Sequence, residues 1–254
     1  MAFMRRAHER QRSEAQQMLD ELSADYDSFA NYAGVESDPL AVAIIDGHVA
    51  KGRIKEFDNL DDLKRFLGGD PIPNKFACIR KLRPDGSTKR RIIMDSKKSR
   101  VTEASRKQFR QVLPRQTDLI TDILGLQAGC FAAESVELFV QDAEDAYWQV
   151  PLNPRERKFY CCILRMPDGR TRYLVYLVTA QGSRGAPLSW SVVFGLIGRC
   201  VLSVSHDSAI PGATGMQCYV DDPALAIRGA TEVRRLQVAR AILAWTVFGV
   251  PLSL

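Results

Sequence analysis

Two adjacent carboxylates, Asp221 and Asp222, sit between the apolar runs Gln217-Cys218-Tyr219-Val220 and Pro223-Ala224-Leu225-Ala226-Ile227. Strand, short polar break and strand is the signature of a hairpin. Asp suits the break because its side chain bonds nearby backbone and tolerates unusual dihedrals. Successive strand residues point to opposite faces, so one Asp can face a site while the other supports it. Such a pair offers the oxygen ligands that a hard divalent cation takes, although acids in solvated turns are also common. A second stretch, Leu138 to Leu152, reads as an apolar strand ending in Asp142-Ala143-Glu144-Asp145 and followed by Tyr147-Trp148. It could bring Asp142 beside Asp221 and supply the third carboxylate of a two-metal site. That arrangement clamps the attacking and leaving oxygens of an in-line phosphoryl displacement.

Cations are concentrated elsewhere. Residues 71–110 carry a net charge of +10 in a chain whose total is +5, so the remainder is acidic on balance. A concentrated basic segment is the electrostatic footprint of a phosphate-rich partner, and equally of a solvated basic face. Within it, Phe76-Ala77-Cys78-Ile79 and Arg91-Ile92-Ile93-Met94 read as strands around Pro84-Asp85-Gly86-Ser87, a turn by composition. Lys81, Arg83, Lys89, Arg90 and Arg91 flank the tip. A basic hairpin of this kind can fold over a triphosphate, with Arg giving bidentate contacts and Lys a point charge.

Taken together these stretches resemble the reverse transcriptases of retroelements and retroviruses, over roughly residues 75 to 250. Asp142, Asp145-Ala146-Tyr147-Trp148 and Val150-Pro151-Leu152 resemble that family's first palm motif. Gln181-Gly182 with Pro187 resembles the second, and Tyr219-Val220-Asp221-Asp222 the third. The resemblance implies an RNA-directed DNA polymerase domain of an LTR-like or tyrosine-recombinase-type retrotransposon. It implies two Mg²⁺ ions, replaceable by Mn²⁺, held by Asp142, Asp221, the Ala143 carbonyl and Asp222. The implied partners are dNTP and an RNA or DNA template with its primer. Arg91 matches the nucleotide-binding Arg, and either Lys81 or Lys89 the nucleotide-binding Lys. Tyr147 matches the ring that excludes a 2′-hydroxyl, and Gln181 and Gly182 the contacts to the incoming nucleotide. Tyr219 is expected near the primer terminus, with a buried Tyr bonded through its hydroxyl as the alternative.

The elements that must position these residues follow in chain order. Ala15, Met18, Leu19, Leu22, Tyr26 and Phe29 recur at helical spacing and predict a helix over 3–30. Leu40 to Ile45 reads as a short strand ended by Asp46-Gly47, and Leu60 to Leu67 as a short helix stopped by Gly68-Gly69 and Pro71. Residues 96–113 read as a basic loop with a short helix, and Thr117 to Gln127 as a helix. Asn153 to Lys158 is a predicted turn, and Phe159–Met166 and Tyr173–Val178 are predicted strands around Pro167-Asp168-Gly169. A mostly apolar helix is predicted over 186–203, and a last one capped by Thr231 and stopped by Gly249. The fold class is α/β in the α+β sense: a right-handed fingers and palm, with an antiparallel palm sheet backed by helices. Residues 1–70 form an N-terminal helical extension, 71–108 and 153–182 the fingers, and 109–152 and 183–254 the palm. The resemblance implies a palm cut short at its C-terminus, with the thumb absent.

The bulk properties fit a globular protein, at 46% apolar and 26% charged residues. No leader-like apolar core follows Met1 and no uninterrupted apolar run spans a bilayer, so no membrane is expected, while cysteines read as buried and reduced predict an intracellular location. Six cysteines lack C-x-x-C spacing, which disfavours zinc and favours buried thiols. Two departures stand out within the resemblance. Pro223 follows the Asp pair and removes a backbone donor there. The shortened palm also favours a second reading, an inactive relic that binds nucleic acid or metal without polymerising. An RNA-dependent RNA polymerase is disfavoured by the ring at Tyr147. A two-metal nuclease would need neither that ring nor Gln181-Gly182.

Overall fold

A computed structural model describes residues 26, 29–105, 111–205 and 213–253, and the body of the helix expected over 3–30 lies outside the described residues. The chain divides into two compact units, one of residues 1–108 and 147–186, the other of residues 109–146 and 187–254. Together they give a mixed α and β protein with one mixed and two antiparallel sheets.

The first unit contains a five-stranded sheet. Helix α1 (Pro39–Ala50) leads to strand β1 (Ile54–Phe57), helix α2 (Leu60–Leu67) and the hairpin β2 (Pro73–Leu82) and β3 (Thr88–Asp95). A short helix α3 (Val101–Ala104) follows, and after a 3₁₀ turn at Pro154–Phe159 come β6 (Cys161–Arg165) and β7 (Thr171–Tyr176). Strand order is β1-β7-β6-β2-β3, antiparallel except for the β2–β6 pairing at Pro73↔Cys161 and Asn74↔Cys162. Asn74 bonds across that pairing. It is fully buried, and its Nδ2 donates to the Phe159 carbonyl at 2.8 Å and the Cys161 carbonyl at 3.1 Å, while its Oδ1 accepts from Ser99. Phe76, Met94, Leu164, Leu174 and Tyr176 form the core beside it.

Two expectations are corrected here. Residues 40–45 are not a strand but the first half of α1, and Asp46-Gly47 lies inside that helix. Asp38 accepts from the Leu40 N–H as N-cap and Pro39 occupies the first turn, which together start a helix that the apolar run alone does not announce. The segment assigned as a helical extension also contributes β1, which pairs with β7 along the sheet edge.

The second unit is a three-stranded antiparallel sheet between helices. Helix α4 (Gln116–Ala128) precedes β4 (Ser135–Val140) and the two-residue β5 (Asp142–Ala143). Helix α5 (Ala186–Val204), the hairpin β8 (Thr214–Tyr219) and β9 (Asp222–Gly229), helix α6 (Thr231–Val247) and β10 (Leu252–Ser253) complete it. Strand order is β4-β9-β8, and β10 pairs with β5. Ala230, not Thr231, is the N-cap of α6, and no side chain caps that end. Asp122 of α4 accepts from Gln217 Nε2 at 2.7 Å on one sheet face. On the other face Gly198 of α5 lies against Cys218 and Met216, where a Cβ would press on both side chains.

Among the described helices α5 alone has the length and apolarity of a membrane span; Trp190, Phe194 and Val201 are buried within the protein, while Val192, Val193, Leu196 and Val204 are exposed. All six cysteines are free, and burial raises the Cys161 and Cys162 thiols well above their ordinary range.

Candidate functional site

The first and third acidic motifs meet at one end of the second unit's sheet. The β4–β9 register runs to Val140↔Ala224, and two backbone bonds carry it further. The Gln141 N–H donates to the Pro223 carbonyl at 3.1 Å, and the Ala143 N–H to the Asp221 carbonyl at 2.9 Å. Asp142 therefore lies directly across from Asp222, and side chains so paired share a face with Cβ atoms about 5 Å apart. Tyr219 pairs with Asp222 on the other side, so Tyr219, Asp222 and Asp142 form a row across one face. A strand residue presents its N–H and C=O at the same edge, so the Ala143 carbonyl also faces the Asp221 side.

The electrostatics agree with the register. The Asp222 carboxyl is pushed above its ordinary value, first by partial burial and then by the Asp142 charge opposite. The Asp142 charge thus acts on Asp222, and the Asp221 main chain bonds to Ala143 on the same strand. Alternation along the strands was legible, but which Asp shares a face with Asp142 depends on the pairing register.

The hairpin turn consists of Val220 and Asp221, and Val220 has φ 59°, a left-handed backbone that a β-branched residue rarely adopts. Trp190 of α5 holds it in place: its Nε1 donates to the Val220 carbonyl at 3.0 Å. Sequence reasoning missed Trp190, which gives no signal beyond a buried aromatic on an apolar helix. Strain of this kind persists where surrounding contacts over-determine it, and it gathers at functional sites. Pro223 is buried in β9 and keeps its carbonyl bond to Gln141, so the proline forgoes only the reciprocal donor of that pair.

Tyr219 is 55% exposed, which sets aside the alternative of a buried tyrosine. Among the described residues no group of three or more His, Cys, Asp or Glu is placed to hold a metal ion. The donor chemistry present is two carboxylates opposed on an open face and a third in the adjoining turn, all hard oxygen ligands. These are hard oxygen donors of the type that Mg²⁺ takes, although among the described residues they are not gathered as a group of three around one point.

A raised Asp222 pKa has a measurable consequence. The folded state holds that proton more tightly than the unfolded chain. Its contribution to stability is therefore present at low pH and is lost as pH rises through the folded pKa. Carbon-detected NMR titration should find Asp222 above the ordinary carboxylate value, and Asp142→Asn should bring it only part of the way down, because burial remains. An Asp222 titration unchanged by Asp142→Asn would contradict the pairing.

The remaining sequence candidates lie in the first unit. Lys81 pairs with Lys89, and Ile79 with Arg91, so these four residues share one face of the β2–β3 hairpin, and all are exposed. The opposite face carries Arg80 and Arg90, whose guanidinium groups both reach Asp38 Oδ2 at 2.9 Å. Arg90 foremost holds the Asp38 carboxyl down to about 2. Alternation therefore places Arg80 and Arg90 on the face engaged by Asp38, and Lys81, Lys89 and Arg91 on the outward face.

Gln181 and Gly182 lie along the edge strand β3. The Met94 N–H donates to the Gln181 carbonyl at 3.0 Å, three residues beyond Arg91. Gly182 has φ 97°, and a Cβ there would collide with the Met94 carbonyl oxygen. Gly182→Ala should destabilise the first unit by about 2 kcal/mol or more in chemical denaturation, since neither backbone can yield cheaply. Tyr147 is half-buried, and its carbonyl accepts from the Thr179 hydroxyl.

Compared with known proteins, the chain matches no protein-family model and no curated protein.

Proposed function

We propose that this chain is the fingers and palm of an RNA-directed DNA polymerase, adding deoxynucleotides to a primer 3′ end by two-metal phosphoryl transfer. The observation that carries the reading is the junction of Asp142-Ala143 with Asp221-Asp222: a backbone bond joins the motifs and a charge interaction couples Asp142 to Asp222. Residues far apart in sequence that resemble two motifs of one polymerase family thus meet at one sheet end. Asp142, Asp221, Asp222 and the Ala143 carbonyl would hold Mg²⁺, which when bound supplies Lewis-acid activation of the primer hydroxyl and neutralises the leaving pyrophosphate. Lys81, Lys89 and Arg91 would bind the triphosphate as an outward cationic face. Tyr147 would exclude a 2′-hydroxyl, Gln181 and Gly182 would border the incoming nucleotide, and Tyr219 would lie beside the primer terminus.

One observation favours a second reading, a fold that binds nucleic acid or metal without polymerising: among the described residues no three acidic, His or Cys groups are clustered to hold an ion. Incorporation of labelled dTTP on oligo(dT)-primed poly(rA) with Mg²⁺ separates the two. The polymerase reading requires incorporation by the wild type that Asp142→Asn abolishes. Absence of incorporation by folded wild type supports the second.

A further inference from the structure

We infer that the second unit carries a binding pocket for a small anion with an apolar body, seated behind the Val220–Asp221 turn. A cavity of about 400 Å³ lies there, within the size range of small-molecule sites. Leu113, Leu188, Val192, Gly195 and Val220 give it an apolar wall.

Its polar groups are few and of one sense. Among the described residues that line the cavity, Arg199 is the single charged one and none is a carboxylate. Gln111, also on the wall, has a buried Nε2 with no hydrogen-bond partner among the described residues. A buried donor without an acceptor is costly, and a ligand oxygen would relieve it. The other polar wall groups do not compete: the Ser191 hydroxyl donates to the Leu188 carbonyl at 3.0 Å, and burial pushes the Cys218 thiol up to about 11, so it stays neutral. A guanidinium and an amide donor against an apolar wall select a carboxylate, sulfonate or phosphate attached to a hydrocarbon or aromatic body.

Gly195 supports the assignment. It lies inside α5, where glycine costs about 1 kcal/mol relative to alanine. A Cβ at this position would meet no atom within 4 Å, so the helix leaves open space on the cavity wall. The pocket does not depend on the polymerase reading, because no carboxylate of the acidic cluster takes part in it.

The test uses two fluorescent probes of the same shape on the full chain: 8-anilino-1-naphthalenesulfonate and the uncharged N-phenyl-1-naphthylamine. The sulfonate should saturate at one per chain. Arg199→Gln, at an exposed position, should weaken the sulfonate about tenfold and leave the uncharged amine within about twofold. Gly195→Leu fills the cavity with a better helix former and should weaken both probes at least about tenfold, with an unfolding midpoint no lower than wild type. No binding, binding at several sites unaffected by Gly195→Leu, or equal loss of both probes in Arg199→Gln would each overturn the assignment. Should Gly195→Leu fold poorly, the ratio of the two probes in Arg199→Gln still decides it.

Discussion

Asp142→Asn should lower dTTP incorporation by at least about a thousandfold while leaving the fold intact. The residue is exposed at the end of the sheet, so the amide occupies the same space without disturbing a core. What changes is charge: one of the opposed oxygen donors is neutralised and no longer balances a divalent ion. Metal assistance is worth several kcal/mol of transition-state stabilisation, and about 4 kcal/mol corresponds to a factor of about a thousand. Glu137→Gln supplies the control. Glu137 lies on the same β4 strand but pairs with Arg234 at 2.8 Å, and its removal should leave incorporation within about twofold. Comparable losses in both variants would mean that general acidity of the strand, rather than the position of Asp142, governs the rate.

Trp245→Ala should destabilise the second unit by about 3–5 kcal/mol, the range for emptying a buried aromatic site. Trp245 of α6 is 1% exposed and stacks on Phe194 with ring centroids 4.6 Å apart, and Phe194 stacks on Trp190 at 4.8 Å. Stacked pairs add about 0.5–1.5 kcal/mol beyond buried area. The same column ends in the Trp190 hydrogen bond to Val220, so the aromatic core of the unit also props the turn that presents Asp221. Denaturant unfolding should show the loss in the transition of this unit. Trp245→Phe, which keeps a ring in the stack, should fall by less than half as much. Val247→Ala, at a residue 75% exposed on the same helix, should stay within about 0.5 kcal/mol. A Trp245→Ala loss under 1 kcal/mol would mean the aromatic column is not a structural support.

The sequence displayed the parts of the fold whose causes are local. Pro84-Asp85-Gly86 announces its hairpin, Gly68 in a left-handed conformation ends α2, the long apolar run of 186–203 gives α5, and Gly249, also left-handed, stops α6. Local signals failed at α1. Its apolar residues lie on all sides and offer no helical stripe, so a six-residue run looked like a strand, and the deciding feature is the Asp38 cap. Strand β1 has only four residues and is defined by its partner, and at the parallel crossing of β2 and β6 Asn74 bonds to residues 85 and 87 positions away.

The candidate site divides in the same way. Which residue types could do chemistry was legible, because carboxylates and cations declare themselves. Their grouping was not, because it follows from register. The pairing of Asp142 with Asp222, the outward trio of Lys81, Lys89 and Arg91, and the engagement of Arg80 and Arg90 by Asp38 each require knowing which residues face each other across strands. Val220 could not be foreseen either, since a turn built on valine contradicts the usual Gly and Asn preference of such loops.

The central claim is that Asp142 and the hairpin carboxylates act as one cation site completed by nucleotide phosphates. Its most direct test is Mn²⁺ binding followed by electron paramagnetic resonance, with and without dTTP, on wild type and on the Asp142→Asn, Asp221→Asn double variant. The account predicts Mn²⁺ binding by the wild type that strengthens at least about tenfold with dTTP and disappears in the double variant. Equal binding by the two proteins, or no dTTP dependence in a well-folded wild type, would contradict it.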